Sequence, residues 1–391
     1  MKIKIDNKKI NMLSVIGQRA VLGTCLFENE NNFDNLLVLS ADTSTSAGLD
    51  KFRKLKPDKY LEMGISEQNM ISVAAGLSNE NFNVLTTTFS PFQTLRCCEQ
   101  IKVNLGYMNQ KICMVGLASG LVLGNLGYTH CCIEDVGVLR SIPNITIISP
   151  ADSAELAKAL LASFNHKNSV YIRLTGGSGI QQVYEEDYEF KIGKAISLKK
   201  GSDLTIVSSG QMVGEALAVS KKLEEKKIFA EVINFHTIKP IDENMIKEFV
   251  KKNKLIICIE EHNLYGGLNS AISECLAKLE NTPKMISYGI DDRYTKGGDY
   301  DFLKKKFPEA IKNLSVLCNN YGNILSKLGE FDEAHQKYIR AIEIRPDYHI
   351  AYSNLLFNLN FIDNLDQDLY LSWAKKFRNN CKKNDIKSNY S

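Results

Sequence analysis

The chain has no long apolar run, almost no excess of either charge, one tryptophan and six histidines in 391 residues, and each scarcity removes a class of function. A membrane-spanning helix needs about 18 or more consecutive apolar residues, and no segment approaches that. Lys and Arg number 48 against 45 Asp and Glu, so the net charge of +3 is spread too thinly to make a basic field for nucleic acid. The start, MKIKIDNKKINML, is basic but has no apolar stretch behind it, so no secretory leader is expected and the chain is read as cytoplasmic. There is no C-x-x-C. The ten cysteines fall as the vicinal pairs Cys97-Cys98 and Cys131-Cys132 plus six singles. Vicinal pairs bridge poorly and the histidines lack ligand spacing, so reduced, buried thiols in a reducing compartment are expected, with no metal centre in this chain.

What is present is alternation. The β-rich runs NLLVLSAD (35–42), NVLTTTF (83–89), KICMVGL (111–117), NITIISP (144–150) and SVYIRLTG (169–176) are separated by helical patterns over 66–77, 91–106 and 152–164. Alternation of this kind predicts a mostly parallel sheet covered on both faces. Residues 176–190 lose periodicity, open with glycines and end acidic, which reads as a linker. A second, smaller α/β unit follows, with strands DLTIVSSG (203–210), AEVINFH (230–236) and KLIICIE (254–260), and a helix carrying Val213, Ala216, Leu217 and Leu223 on one face. It ends near Pro308. From Ser315 to Tyr348, the positions of Tyr321, Gly322, Leu325, Ala334, Tyr338, Ala341 and Pro346 fit one tetratricopeptide repeat of about 34 residues, and AYSNLLFNL (351–359) begins another. About three repeats are needed to bury such helices, so this tail is expected to dock on the body or on a neighbour.

One short stretch holds the chemistry. In YLEMGISEQNMISVAAG (60–76) a lone acid, Glu67, opens a helix whose Ala74, Ala75 and Gly76 permit close packing. An acid there complements the helix dipole, with Ser66 as a cap. Downstream, TTFSPFQTL places Ser90 and Gln93 as cap and partner and Pro91 at the first helical position, so a helix starts at 90 with Phe89 and Phe92 able to face one cavity.

The order of seven blocks goes further: GISEQNMISVAAGL, TTFSPFQTLRCCEQI, GNLGYTHCCIEDVGVLRSIPNITIISPAD, YIRL, GKAISLKKGSDLTIVSSGQMVGEAL, INFHTIKPID and EEHNLYGGLNSAISE. Over about residues 12–310 the chain resembles the C-terminal half of transketolases, especially the split form made of two polypeptides. The resemblance implies a pyrimidine-binding domain (12–176), a linker (177–190) and a transketolase C-terminal domain (191–310), two three-layer α/β domains with mainly parallel sheets, followed by an all-α tail (315–391). It implies thiamine diphosphate, whose ring nitrogen N1′ is held by a buried carboxylate that drives proton loss from the thiazolium; Glu67 matches that glutamate. Phe89 and Phe92 match the aromatic residues against the aminopyrimidine, and His130 a histidine near the substrate's reacting oxygens. Arg173 and Ser46 match residues that contact the sugar phosphate. His262 and the Gly266-Gly267 pair match the family too, and are read as turn and interface structure.

Two positions depart from the family. GNLGYTH carries Leu126 where transketolases hold an acid that recognises the donor's hydroxyl, and LASGL carries Ala118 where they hold a histidine. Both losses imply a substrate other than the usual pentose and hexose phosphates. The G-D-G motif and later asparagine that hold the diphosphate and its Mg²⁺ are missing, so an N-terminal partner subunit is expected to carry them in an α₂β₂ assembly. The resulting expectation is the C-terminal subunit of a two-subunit enzyme transferring a ketol unit between sugars. Its rivals are a 1-deoxyxylulose-5-phosphate synthase, the β subunit of a 2-oxo acid dehydrogenase, and a non-catalytic scaffold binding protein through the tail.

Overall fold

A computed structural model of the chain describes residues 7–33, 35–175, 180–294, 296–306, 314–344, 348–362, 368 and 371–378. They fall into two compact units, Met1–Lys306 and Phe307–Ser391. The first unit is built on two sheets. The larger has β1 (Leu36–Ser40), β2 (Tyr60–Glu62), β3 (Asn83–Phe89), β4 (Ile112–Leu117), β5 (Ile145–Ile148), β6 (Ser169–Arg173) and β10 (Thr237–Lys239), ordered β10-β5-β6-β4-β3-β1-β2. All pairings but β10 with β5 are parallel. The smaller has β7 (Ile196–Lys199), β8 (Leu204–Ser208), β9 (Ala230–Asn234), β11 (Leu255–Asn263) and β12 (Lys284–Ile290), ordered β12-β11-β8-β9-β7 with only β7 antiparallel.

The central strands are largely apolar because both faces are covered. Every residue of β4, β5 and β6 is buried. On one face Leu22 and Leu26 of helix Asn7–Asn29 and Leu160 of helix Ser153–Phe164 join Val38 and Ile172 in one cluster. On the other, Met70 and Ala74 of helix Glu67–Asn79 meet Met114 and Leu139. Strands expected from apolar runs are all found. Those not expected are short or half-covered: β2 and β10 have three residues each, and β12 is buried only at Ile290.

Two expectations about helices change. The pattern over 91–106 predicts one helix, but the chain forms Ser90–Gln93, a turn, Cys98–Gln100 and a π-helix Ile101–Tyr107. The Ser90/Gln93 cap does not form: Phe89 is the N-cap, and Gln93 instead donates to Thr86 Oγ1 at 2.6 Å. Ser66 is the N-cap of Glu67–Asn79, but its hydroxyl donates backward to Met63 O. Gly76 does not serve close packing, since it is exposed and a Cβ there would touch nothing.

The two α/β domains are stitched together. β10, from the second, pairs with β5 of the first, and Ser149 N donates to His236 O at 2.7 Å. Residues 180–190 of the linker act as a strap: Tyr184 and Tyr188 stack at 3.9 Å, and their hydroxyls, with Asn234 of β9, all donate to the buried carboxylate of Glu155. The linker glycines at 176–177 lie outside the described residues, as do the domain end near Pro308 and the repeat's Pro346.

The second unit has helices Leu314–Lys327, Phe331–Ile344 and His349–Leu359. The repeat positions Tyr321, Leu325, Ala334, Tyr338 and Ala341 are buried, and Gly322 lets the Tyr338 ring approach where a Cβ would lie 2.7 Å from it. Among the described residues no helix is long and apolar enough to cross a membrane.

Candidate active site

In a parallel sheet, loops at the carboxyl ends of the strands are where ligands bind. The expected site residues all lie at that edge. Ser46 sits in the turn after β1, Glu67 follows β2, Phe89 ends β3 with Phe92 beyond it, His130 is in the loop after β4, and Arg173 ends β6.

Glu67 is the first residue of its helix and is buried, so the helix N-terminus favours its charge. Its partner is a residue sequence reasoning did not single out: Arg96 Nη1 donates to Glu67 Oε1 at 2.7 Å. The break in the expected helix places it there. The turn through 94–97 is fixed by Thr94 Oγ1 donating to Ser90 O and by Gln68 Nε2 donating to Arg96 O. The same guanidinium lies over the Phe92 ring, its Cζ 3.9 Å from the centroid.

Phe89, Phe92 and His130 are brought together. The phenylalanines meet edge to face at 6.4 Å, and the imidazole lies 5.2 Å from Phe92 and 6.3 Å from Phe89. His130 Nδ1 is 3.0 Å from Thr129 Oγ1, and its ring is partly open to solvent. Ser46 is half-buried in the turn 44–48, which is pinned from below: a Cβ on Gly23 would lie 1.9 Å from Gly48 O, so only glycine admits this approach of helix to turn. Leu126 is exposed on a short 3₁₀ turn, and Ala118 holds a left-handed φ of +52° just after β4, the kind of costly backbone that collects at functional sites.

Arg173 stands in a different setting from that of a phosphate ligand. Its Nε donates to both oxygens of Asp135, at 2.8 and 3.1 Å, and its Nη2 to Cys132 O and Glu261 O. Both side chains are buried, and Tyr171 adds a hydroxyl donor to Asp135 at 2.8 Å. The guanidinium thus ties the large sheet to β11 of the second domain. Asp135 and Glu261 were not singled out either; the only sequence signals were acids beside family motifs, in CCIED and IEEHN. Glu261 accepts from Leu121 N at 2.7 Å, from Tyr300 OH at 2.9 Å and from Gln211, and Gly120 is required because a Cβ would lie 2.3 Å from Glu261 Oε1. His262 is buried in the same seam, its Nε2 accepting from Gly137 N, and burial pushes its pKa down to about 4. Gly266 packs so closely on Gly137 that a Cβ added to it would lie 2.6 Å from Gly137 Cα.

The cysteines are not part of this chemistry. Eight among the described residues are free thiols, and seven of them are buried.

The pattern described as "Transketolase, pyrimidine binding domain" matches residues 16–178, and "Transketolase, C-terminal domain" matches 193–301. A 6-deoxy-6-sulfo-D-fructose transketolase subunit from Clostridium sp. (strain MSTE9) is 36% identical over 290 residues, covering 74% of this chain and 89% of its own. This chain belongs to the transketolase family. Within the family it resembles separate subunits: one subunit of the apulose-4-phosphate transketolase of Actinobacillus succinogenes is 34% identical over 289 residues, 73% of this chain and 93% of that one. A solved structure titled "Split gene transketolase, inactive beta4 tetramer" superposes with a TM-score of 0.68 at 32% identity, covering 74% of this transketolase-family chain and 93% of the other. The tail carries a TPR repeat match at 322–355.

Proposed function

We propose that this chain is the C-terminal subunit of a two-subunit, thiamine diphosphate-dependent transketolase that moves a ketol unit between sugar or sugar-phosphate substrates. The observation that carries the reading is a buried carboxylate, Glu67, at the edge of an aromatic wall formed by Phe89 and Phe92, with a partly open imidazole beside it. This donor set fits an aminopyrimidine: one hydrogen-bonding carboxylate for the ring nitrogen and flat apolar faces for the ring. When bound, the cofactor supplies the carbon nucleophile for the ketol unit.

The residues of this chain then divide the work. Glu67 holds the proton at the ring nitrogen N1′. Phe89 and Phe92 orient the ring and keep water from it. His130, with a ring nitrogen on Thr129, is placed to give or take a proton at a substrate oxygen. Ser46, in its pinned turn, is the candidate phosphate contact. Arg173 is assigned the positioning of the domain seam rather than the phosphate, because Nε and Nη2 are engaged by protein acceptors.

Among the described residues no group of three or more His, Cys, Asp or Glu side chains is placed to hold a metal ion. Because the relatives it resembles are separate transketolase subunits, Mg²⁺ and the diphosphate are assigned to an N-terminal partner subunit, most simply in a symmetric α₂β₂ complex with two equivalent sites. Two related proteins are named for 6-deoxy-6-sulfo-D-fructose and apulose-4-phosphate. Leu126 and Ala118, which leave the sugar-facing wall short of polar groups, support a comparably unusual substrate here.

The test is Glu67→Gln in the reconstituted complex. Turnover should fall by at least about a hundredfold, the scale of lost acid–base catalysis, with circular dichroism unchanged. Wild-type turnover in the variant would refute the assignment.

A further inference from the structure

Glu67 is only 4% exposed, and a carboxylate so buried is costly unless it has a partner. In this structure the partner is Arg96, and its position is specific. One nitrogen of the guanidinium donates to Glu67 Oε1 at 2.7 Å while its Cζ lies over the Phe92 ring, 3.9 Å from the centroid. A flat aminopyrimidine whose ring nitrogen shares a proton with Glu67 would need the same carboxylate and the same aromatic ring, so the two compete for both. We propose that Arg96 competes with the aminopyrimidine for Glu67 and Phe92 and must be displaced for the ring to bind. The inference rests on the assignment of Glu67 and Phe92 to that ring.

Three features make displacement feasible. The Arg96 side chain is 40% exposed, so it has solvent to retreat into. Its backbone is held separately, by Gln68 on the carbonyl, so the side chain can leave without unfolding the turn. The ring nitrogen that replaces it on Glu67 can share a proton with the carboxylate, so the buried acid is not left without a partner. Arg96 thereby keeps Glu67 partnered until the ring arrives, at the cost of weaker ring binding.

The experiment titrates the full chain with the isolated ring compound 4-amino-5-hydroxymethyl-2-methylpyrimidine, by calorimetry and by saturation-transfer NMR, so no catalysis is read. Arg96→Ala should bind the ring about tenfold more tightly than the wild type, equivalent to about 1.4 kcal/mol, and Arg96→Lys, which keeps the charge but loses the flat face, should fall between. Glu67→Gln should weaken binding in both backgrounds. Equal or weaker binding by Arg96→Ala, with Glu67→Gln still weakening it, would overturn the role of Arg96 and leave the ring site standing. No ring binding by either the wild type or Arg96→Ala would overturn the ring site and this inference with it.

Discussion

Two arginine–carboxylate pairs lie at the same edge of the large sheet and differ in one respect. Arg173 and Asp135 are 4% and 0% exposed, whereas Arg96 is 40% exposed over a Glu67 that is 4% exposed. The distances, 2.8 and 2.7 Å, do not distinguish them. What does is the rest of each arginine's environment. Arg173 also donates to two backbone carbonyls, Cys132 O after β4 and Glu261 O in β11, and Asp135 has a second donor in Tyr171, so the pair is the centre of a buried network. Glu67 has one cation, drawn from the surface. Burial on both sides makes an ion pair architectural; burial of the acid alone makes it an exchangeable site.

The comparison breaks most visibly at Arg173. Arg173→Met should destabilise the protein by about 3–5 kcal/mol, because it leaves Asp135 charged and unpaired in the interior; denaturant titration of the full chain reads this, and a loss under about 2 kcal/mol would place this pair with the exchangeable one. Next in size is acid sensitivity. Burial pushes His262 to about 4 and His236 to about 3 from the ordinary 6.5. Their folded-state pKa values are depressed, so the unfolded chain takes up protons first: the stability is complete above about pH 6.5 and is lost as pH falls through 4. For His262, lowered from 6.5 to about 4, the loss is at most about 3.4 kcal/mol. Melting temperature should therefore drop between pH 7 and 4.5, with His262→Gln flattening the drop; equal slopes in both proteins would refute the role of the domain seam. Smallest is Arg96→Ala, which should cost about 1–2 kcal/mol, less than Arg173→Met because solvent beside the 40% exposed arginine and the helix N-terminus still serve Glu67.

Much of this was legible in the sequence, for definite reasons. Buried parallel strands such as ICMVGL are apolar at every position, so five of the seven strands of the large sheet declare themselves except where, as in β2, three residues carry too little pattern. Glu67, Phe89, Phe92 and His130 sit inside motifs and were found together. Arg96 was not, because its approach to Glu67 depends on a turn through 94–97 that interrupts an otherwise helical pattern. The fate of Arg173 was hidden for another reason: its partner Asp135 is 38 residues away in sequence and meets it only once β6 is laid beside the loop after β4. The strap through Tyr184 and Tyr188 read as a linker because its order comes from polar bonds to Glu155, which leave no periodic trace.

In the proposed assembly this chain supplies the ring half of a thiamine diphosphate site and a partner supplies the rest. Calorimetric titration of thiamine diphosphate and Mg²⁺ into the purified chain, alone and with the N-terminal subunit, tests that division most directly. Alone, the chain should give no saturable heat at micromolar concentration, since the charged half of the cofactor finds no ligands on it, and binding should appear when the partner is added. Micromolar binding by the chain alone would contradict the account, because the diphosphate site would then lie within this polypeptide.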